Sequence, residues 1–382
     1  MRILIAVHTY YPDKNGVQAV TQYIAEGLAR RHEVLIITEL KETYKRAEIK
    51  NGVSIERIKV NKRRYHFDGE KKKFLERIHS YAPDVLISVC TQSWPFDWVK
   101  KKVEKLNCKK VLYTHGYSGL MEKYPIVNDL INLRLRAFEY HLHWMLYYCR
   151  AYKYIRKYDL VTYLSKNNLS SWYAKRHGLT NGAVLSNAVE DEFFLNPSSD
   201  RIAGGNINNK VRYIYVANYD NNKNQKGVLE AFLEAGLDEA ELVFIGSKAN
   251  GYYEELVEKN GQKNGQRKNI SFLIGLERKE IAEQLTLADV FVCGSKKEEY
   301  PLMLCEAAAK GLPIISTNVG HVSEMQGCIV VKDMSDMARQ IRRLYEEPQE
   351  RWERGKMLRQ YALNNYQIKD KVEWLEHRLM EL

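Results

Sequence analysis

The sequence predicts an α/β protein built from two doubly wound, Rossmann-like domains in tandem. Three observations lead there. A strand, a glycine-bearing loop, a helix and a second strand open the chain; a similar series begins near residue 211; and 382 residues exceed what one hydrophobic core comfortably fills.

Opening strands are expected over 2–8 and 33–38, because ILIAV and VLIIT are unbroken apolar runs of the kind shown by parallel strands covered on both faces. Between them Val17, Val20, Ile24 and Leu28 recur at helical spacing. They predict a helix over 17–31, entered from a loop that ends on Gly16. Further strands are expected over 85–89, 111–114, 160–164 and 183–185. The stretch 126–157 is rich in tyrosine and arginine, with apolar positions around much of a helix. Packing against neighbours is the default reading, and a basic aromatic helix can also rest on a membrane interface. The first domain is read as 1–195, and the polar, glycine-containing run 198–210 as a linker. In the second domain, 196–366, strands are expected over 211–217, 242–245, 270–273, 290–293, 313–316 and 329–331, with a helix over 226–235. The tail 367–382 places Val372, Leu375 and Leu379 on one helical face.

Composition excludes several classes. The apolar fraction of 45% fits a globular chain, and no segment approaches the roughly 20 apolar residues that span a bilayer. The opening MRILIAVHTYYP reads as a strand and not as a signal peptide, so the expected location is the cytoplasm. Six cysteines stand without CxxC spacing, ten histidines form no HExxH pattern, and no two aspartates stand two apart as a DxD metal clamp would need. The net charge of +11 is uneven. Residues 1–195 hold 33 Lys and Arg against 20 Asp and Glu, while the remainder holds 26 against 28. A basic first half attracts anionic membrane surfaces or polyanions, although any single basic run is more often a solvated face.

Residues 298–313, EEYPLMLCEAAAKGLP, say most about function. A strand ending at Cys293 runs into a loop and then into a helix whose first residue is expected to be Pro301. Glu298 in the loop and Glu306 inside the helix can both face the crevice at the carboxyl end of a parallel sheet, where open α/β folds bind ligands. The helix start adds free N–H groups and a positive dipole end suited to phosphate. Two hydroxyl-reading acids beside such a helix end suit a nucleotide sugar.

Together the motifs resemble glycosyltransferase family 4, retaining enzymes of GT-B architecture. EEYPLMLCE looks like that family's Glu-x7-Glu signature, and STNVGHVSE like the loop that follows it. VANYDNNKNQKGVLEAF stands in the place of its phosphate-binding lysine segment, and SNAVEDEFF is similar to the segment that ends its first domain. The resemblance implies two Rossmann-like domains facing across a cleft, with the C-terminal helix crossing back to the first. It implies that Glu306 binds the ribose hydroxyls, and that Glu298 contacts the donor sugar near the reacting carbon. The helix start at Pro301 and Leu302 would meet the diphosphate, Tyr300 would join the nucleotide-sugar site, and Lys223 would neutralise the leaving phosphate. Gly16 would give the first loop close approach to the phosphates, and His115 would stand beside the sugar. Two departures appear. Asn218 occupies the position of a common arginine, with Lys226 the nearest substitute, and His321 replaces the second glycine of the downstream loop.

The expected reaction moves a sugar from a nucleotide diphosphate such as a UDP- or GDP-sugar to an acceptor hydroxyl, with retention and without a divalent metal. The acceptor is expected to be a lipid-linked or cell-surface glycan, met at an anionic membrane face. A sugar phosphorylase or nucleotide-sugar epimerase is the nearest rival. A dehydrogenase is disfavoured because VHTYYPDKNG, and no GxGxxG, follows the first strand. A nucleic-acid-binding role would leave the Glu-x7-Glu segment unexplained.

Overall fold

The computed structural model describes residues 1–13, 15–197, 210–262 and 269–382. They form two compact units, 1–187 with 369–382, and 188–368. The run read as a linker lies, apart from Lys210, outside the described residues.

In the first unit an eight-stranded sheet runs in the order β10-β9-β8-β7-β1-β2-β4-β3. Its centre is β1 (Arg2–Ala6), parallel to β2 (Glu33–Glu39) on one side and to β7 (Val85–Val89) on the other. Beyond β7 lie β8 (Lys109–Tyr113), β9 (Leu160–Tyr163) and β10 (Gly182–Val184), all parallel. These strands are buried along nearly their whole length up to β9, which is why their sequences are apolar runs and not alternations. The direction of winding reverses between β1 and β7, so ligand-bearing loops belong at the carboxyl ends of those two strands.

Helix α1 (Gly16–Leu28) follows β1 and is capped by the Asn15 side chain, which accepts from the Gln18 amide at 2.9 Å. It starts one residue earlier than the spacing predicts and ends three residues sooner. The sequence gives no clear sign of the antiparallel edge strand β3 (Ala47–Lys50) beside β4 (Val53–Ile58), or of the hairpin β5 (Val60–Lys62) and β6 (Phe67–Gly69). Helices α2 (Lys71–Tyr81) and α3 (Trp94–Val99) cover the sheet around a core holding Phe74, Trp94 and Trp98. The tyrosine-rich stretch divides into α4 (Ile126–Ile131) and α5 (Leu135–Ile155). Only the second half of α5 packs as a core helix, burying Tyr148, Ala151 and Ile155; α6 (Leu169–Arg176) lies against the same cluster through Tyr173.

In the second unit a six-stranded parallel sheet has the order β13-β12-β11-β14-β15-β16. The strands are β11 (Arg212–Val216), β12 (Glu241–Gly246), β13 (Ile270–Ile274), β14 (Val290–Cys293), β15 (Ile314–Thr317) and β16 (Ile329–Val331). The chain winds outward from β11 to β13, then returns to β14 beside β11, which makes β11/β14 the reversal point. Helices α7 (Gln225–Ala235), α8 (Gly251–Gln262), α9 (Arg278–Thr286), α10 (Leu302–Ala309), α11 (Met334–Glu346) and α12 (Pro348–Asn365) connect and cover the strands.

The unit boundary falls after Asn187 and not after residue 195. Val189 bridges to Gln367, and the buried Lys310 donates to the carbonyls of Leu195 (2.6 Å) and Glu192 (3.3 Å). Arg359 donates to the Phe194 carbonyl at 2.6 Å. These contacts hold 188–195 in the second unit. Residues 369–382, most of α13 (Ile368–Glu381), belong to the first. Val372 of α13 packs so close to Gly27 of α1 that a Cβ there would lie 2.5 Å from it, and Glu376 accepts from Arg31 and pairs with His32, both at 2.9 Å.

Candidate active site

The reversal point of the second sheet brings two loops together. The loop after β11 makes a turn in which Asp220 accepts from the amides of Asn222 (2.7 Å) and Lys223 (2.9 Å). It is joined to the loop after β14 at three places. Lys296 N donates to the Asn222 carbonyl (2.7 Å), the Asn222 side chain donates to the Lys297 carbonyl (2.9 Å), and Tyr215, which donates to the Lys223 carbonyl, also bonds Ser295 at 2.9 Å. Gly294 is required at this joint. A Cβ there would lie 2.5 Å from Val228 and 3.2 Å from the Asn224 carbonyl.

This stitching places the Lys223 ammonium 2.5 Å from Glu298, both largely buried. Glu298 is therefore not a solvated acid. One turn into α10, Glu306 is 3% exposed and accepts from Arg278 Nη2 at 2.8 Å. Arg278 opens α9, also donates to Glu190 at 3.0 Å, and lies 4.6 Å over the Phe193 ring. Burial opposes its charge, but Glu306 and Glu190 hold its pKa above the ordinary value. The sequence reading names neither Arg278 nor Glu190 as a site residue. Glu190 lies within the SNAVEDEFF segment, whereas Arg278 carries no motif.

Pro301 is the cap of α10 and not its first helical residue. Its ψ of 117° is extended, and the helix starts at Leu302 with no side chain capping it. The orphan amides of that first turn point out of the helix end. The downstream loop closes on the same corner. Gly320 has φ +58°, and a Cβ there would lie 2.6 Å from Pro301. His321 stacks on Tyr300 at 3.6 Å, its Nε2 lies 2.6 Å from the Tyr366 hydroxyl, and burial pushes its pKa down to about 3, so it is neutral. The bulk of His321, where glycine was expected from the resemblance, goes into packing behind Tyr300.

Asn218 is exposed at the end of β11, and among the described residues only its carbonyl has a partner, the Gln225 side chain. Lys226, the candidate substitute for the arginine missing there, is engaged elsewhere. It pairs with Glu255 and lies over Tyr252 on the surface of α7 and α8. In the first unit, Gly16 is the exposed first residue of α1, after β1 at that sheet's reversal point. His115 follows β8, its Nε2 buried without a partner among the described residues, and burial pushes its pKa down to about 4. Among the described residues, no three His, Cys, Asp or Glu side chains group as a metal site would need.

Two family models match the chain in order. Glycosyltransferase Family 4 matches residues 14–193, and Glycosyl transferases group 1 matches residues 199–374. The chain belongs to this glycosyltransferase family. Solved glycosyltransferase structures share its fold over the whole length. Sucrose-phosphate synthase from Thermosynechococcus elongatus superimposes with a TM-score of 0.75 at 15% identity, covering 100% of this chain and 98% of that one. Anabaena HepE in complex with UDP gives 0.75 at 15% identity with 100% of both chains covered, and its complex with UDP-glucose gives 0.73 at 14%. At such identities the likeness shows the fold alone, and the fold is GT-B. A curated relative, spore coat protein SA of Bacillus subtilis (strain 168), is 31% identical over 140 residues, which span 33% of this chain and 36% of that protein.

Proposed function

We propose that this glycosyltransferase takes its sugar from a nucleotide diphosphate, with UDP as the base carrier, and transfers it with retention to an acceptor hydroxyl in the assembly of a lipid-linked or cell-surface glycan. The observation that carries this reading is the pair of ion pairs, Lys223 with Glu298 and Arg278 with Glu306, on either side of the uncapped start of α10. The UDP and UDP-glucose bound by the HepE neighbour supply the choice of base.

In this reading the diphosphate meets the amides at the start of α10, where the helix dipole favours anions. Lys223 then faces both Glu298 and the phosphate. Charge that builds on the departing diphosphate is stabilised by Lys223 and by those amides, and this lowers the barrier more than tighter binding of the ground state would. Glu298 accepts from a donor-sugar hydroxyl, and Glu306, oriented by Arg278, accepts from the ribose. His115 serves the sugar as a neutral group, and Gly16 leaves its loop backbone open to the phosphates. The departing phosphate takes the acceptor's proton on the same face, so no protein base is required, and in the absence of a DxD pair the cationic work falls to Lys223 and those amides, without a divalent metal. The protein works in the cytoplasm, and its basic first half draws it to an anionic membrane.

A thermal-shift panel of UDP, GDP, ADP and dTDP, followed by incubation with the matching nucleotide sugar in chelator, tests this directly. A ligand at 100 times its Kd adds about 2.7 kcal/mol, so UDP stands out if the reading holds. The product's anomeric configuration by NMR must match the donor's. Inverted donor or sugar phosphate in place of a glycoside would favour an epimerase or phosphorylase.

A further inference from the structure

Helix α4 is built inside out. Val127, Leu130 and Ile131 stand at i, i+3 and i+4 on one face and are 70%, 48% and 74% exposed, whereas the acid on the other face, Asp129, is 2% exposed. Asp129 accepts from His141 Nδ1 of α5 at 2.6 Å, and its carbonyl accepts from the Arg134 amide at 2.8 Å, so the polar face is the one pinned to the protein. The turn that follows extends the apolar face. Leu133 has φ +52° and is 81% exposed, and Leu135 is 67% exposed. A leucine held in that conformation and left in solvent gains nothing within the unit. Contiguous exposed apolar surface of this kind marks an interaction site.

The cations indicate the partner. Arg134 and Arg136 alternate with Leu133 and Leu135, all exposed, and Arg150 and Lys153 are exposed near the far end of α5. Glu139, the next acid after Arg134 and Arg136, is paired with Arg64 at 2.7 Å. A second copy of this chain would set the same arginines against each other across a two-fold axis, a repulsive arrangement. An anionic bilayer meets both features, taking apolar side chains into the acyl boundary and guanidinium groups at the phosphates.

We propose that α4 and the turn after it insert into an anionic lipid surface, with Arg134 and Arg136 at headgroup level. This rests on the membrane-face part of the functional reading and deepens it. Attraction by net charge alone needs no apolar contact, whereas insertion makes Ile131 and Leu133 the anchors.

The test is co-sedimentation of the whole chain with phosphatidylglycerol-containing vesicles and with phosphatidylcholine vesicles. It is run at about 0.1 M and about 1 M salt, between which the screening length falls from about 10 to about 3 Å. The double variant Ile131→Asn with Leu133→Asn is compared with Ile49→Asn, an equally exposed site on β3 (77%). The double variant is expected to lose at least about ten-fold in partitioning to anionic vesicles. The Ile49 variant should bind as the parent, and the parent should keep part of its binding in high salt. Equal binding by the double variant and the parent, or no binding by the parent, overturns the proposal. So does a parent dimer that the double substitution converts to monomer. A UDP thermal shift on the same samples separates the two readings: vesicle binding lost with the nucleotide shift intact confirms the anchor, and vesicle binding present with no nucleotide shift refutes the donor assignment alone.

Discussion

Replacing Arg278 by alanine tests how the acid of α10 is held. Glu306 is 3% exposed, and the substitution would leave its carboxylate buried without its guanidinium partner. Breaking a fully buried pair in this way costs about 3–5 kcal/mol. Arg278 itself is 39% exposed, so water already reaches one side of the pair, and the expected loss falls to about 2 kcal/mol. For a unit of this size that is a fall in Tm of about 4–8 °C. Glu306→Gln in the Arg278→Ala background removes the stranded charge. The double variant should therefore be more stable than the sum of the single losses, by about 1 kcal/mol. Chemical and thermal denaturation of the four proteins give the cycle. A loss below about 0.5 kcal/mol for Arg278→Ala, or strict additivity, would refute the argument that Arg278 neutralises Glu306.

Lys223→Ala should lower kcat/KM by about 100-fold or more while Lys226→Ala, whose ammonium pairs with Glu255 at the surface, stays within about two-fold; steady-state kinetics with the cognate donor decides, and the reverse pattern would move the phosphate contact to Lys226. Gly320→Ala should cost about 1–3 kcal/mol and weaken nucleotide binding, because its φ of +58° is strained for alanine and the new methyl would press on Pro301; unchanged denaturation and unchanged UDP affinity would disprove that contact. His321 and His115, with pKa values lowered to about 3 and about 4, are neutral in the fold but titrate near 6.5 when unfolded. Between those values the unfolded chain binds more protons, so their contribution is full above pH 6.5 and is lost as pH falls, by up to about 1.4 kcal/mol per unit for each histidine. His321→Asn should flatten that slope in a denaturation series, and an unchanged slope would show that the ring is not held neutral.

The central strands of both sheets were legible because strands covered on both faces must be apolar throughout, and ILIAV, VLIIT and VFVC are. The edge elements over 47–69 were not. In VSIERI the apolar–polar alternation breaks at the adjacent Glu56 and Arg57, of which Arg57 is buried, and the hairpin that follows lies within a basic run that reads as a solvated loop. At the candidate site, the Glu-x7-Glu segment singles out Glu298 and Glu306 and a separate lysine segment singles out Lys223, and the fold sets Lys223 against Glu298. Arg278 could not be found in this way, since its link to Glu306 exists only once α9 and α10 pack together. Proline is acceptable at both cap and first turn, so the sequence alone does not separate the two for Pro301, and its ψ shows that it is the cap. The apolar content of 126–157 was plain, but only the fold shows that α4 turns it outward.

The account depends on a nucleotide sugar being held at the start of α10, and the most direct measurement is a crystal structure of the protein with UDP and a non-hydrolysable UDP-sugar. It should show the ribose within hydrogen-bonding distance of Glu306, the diphosphate on the Leu302 amide and Lys223, and the sugar against Glu298. Nucleotide bound elsewhere, or Lys223 and Glu298 still paired with each other and away from the ligand, would contradict it.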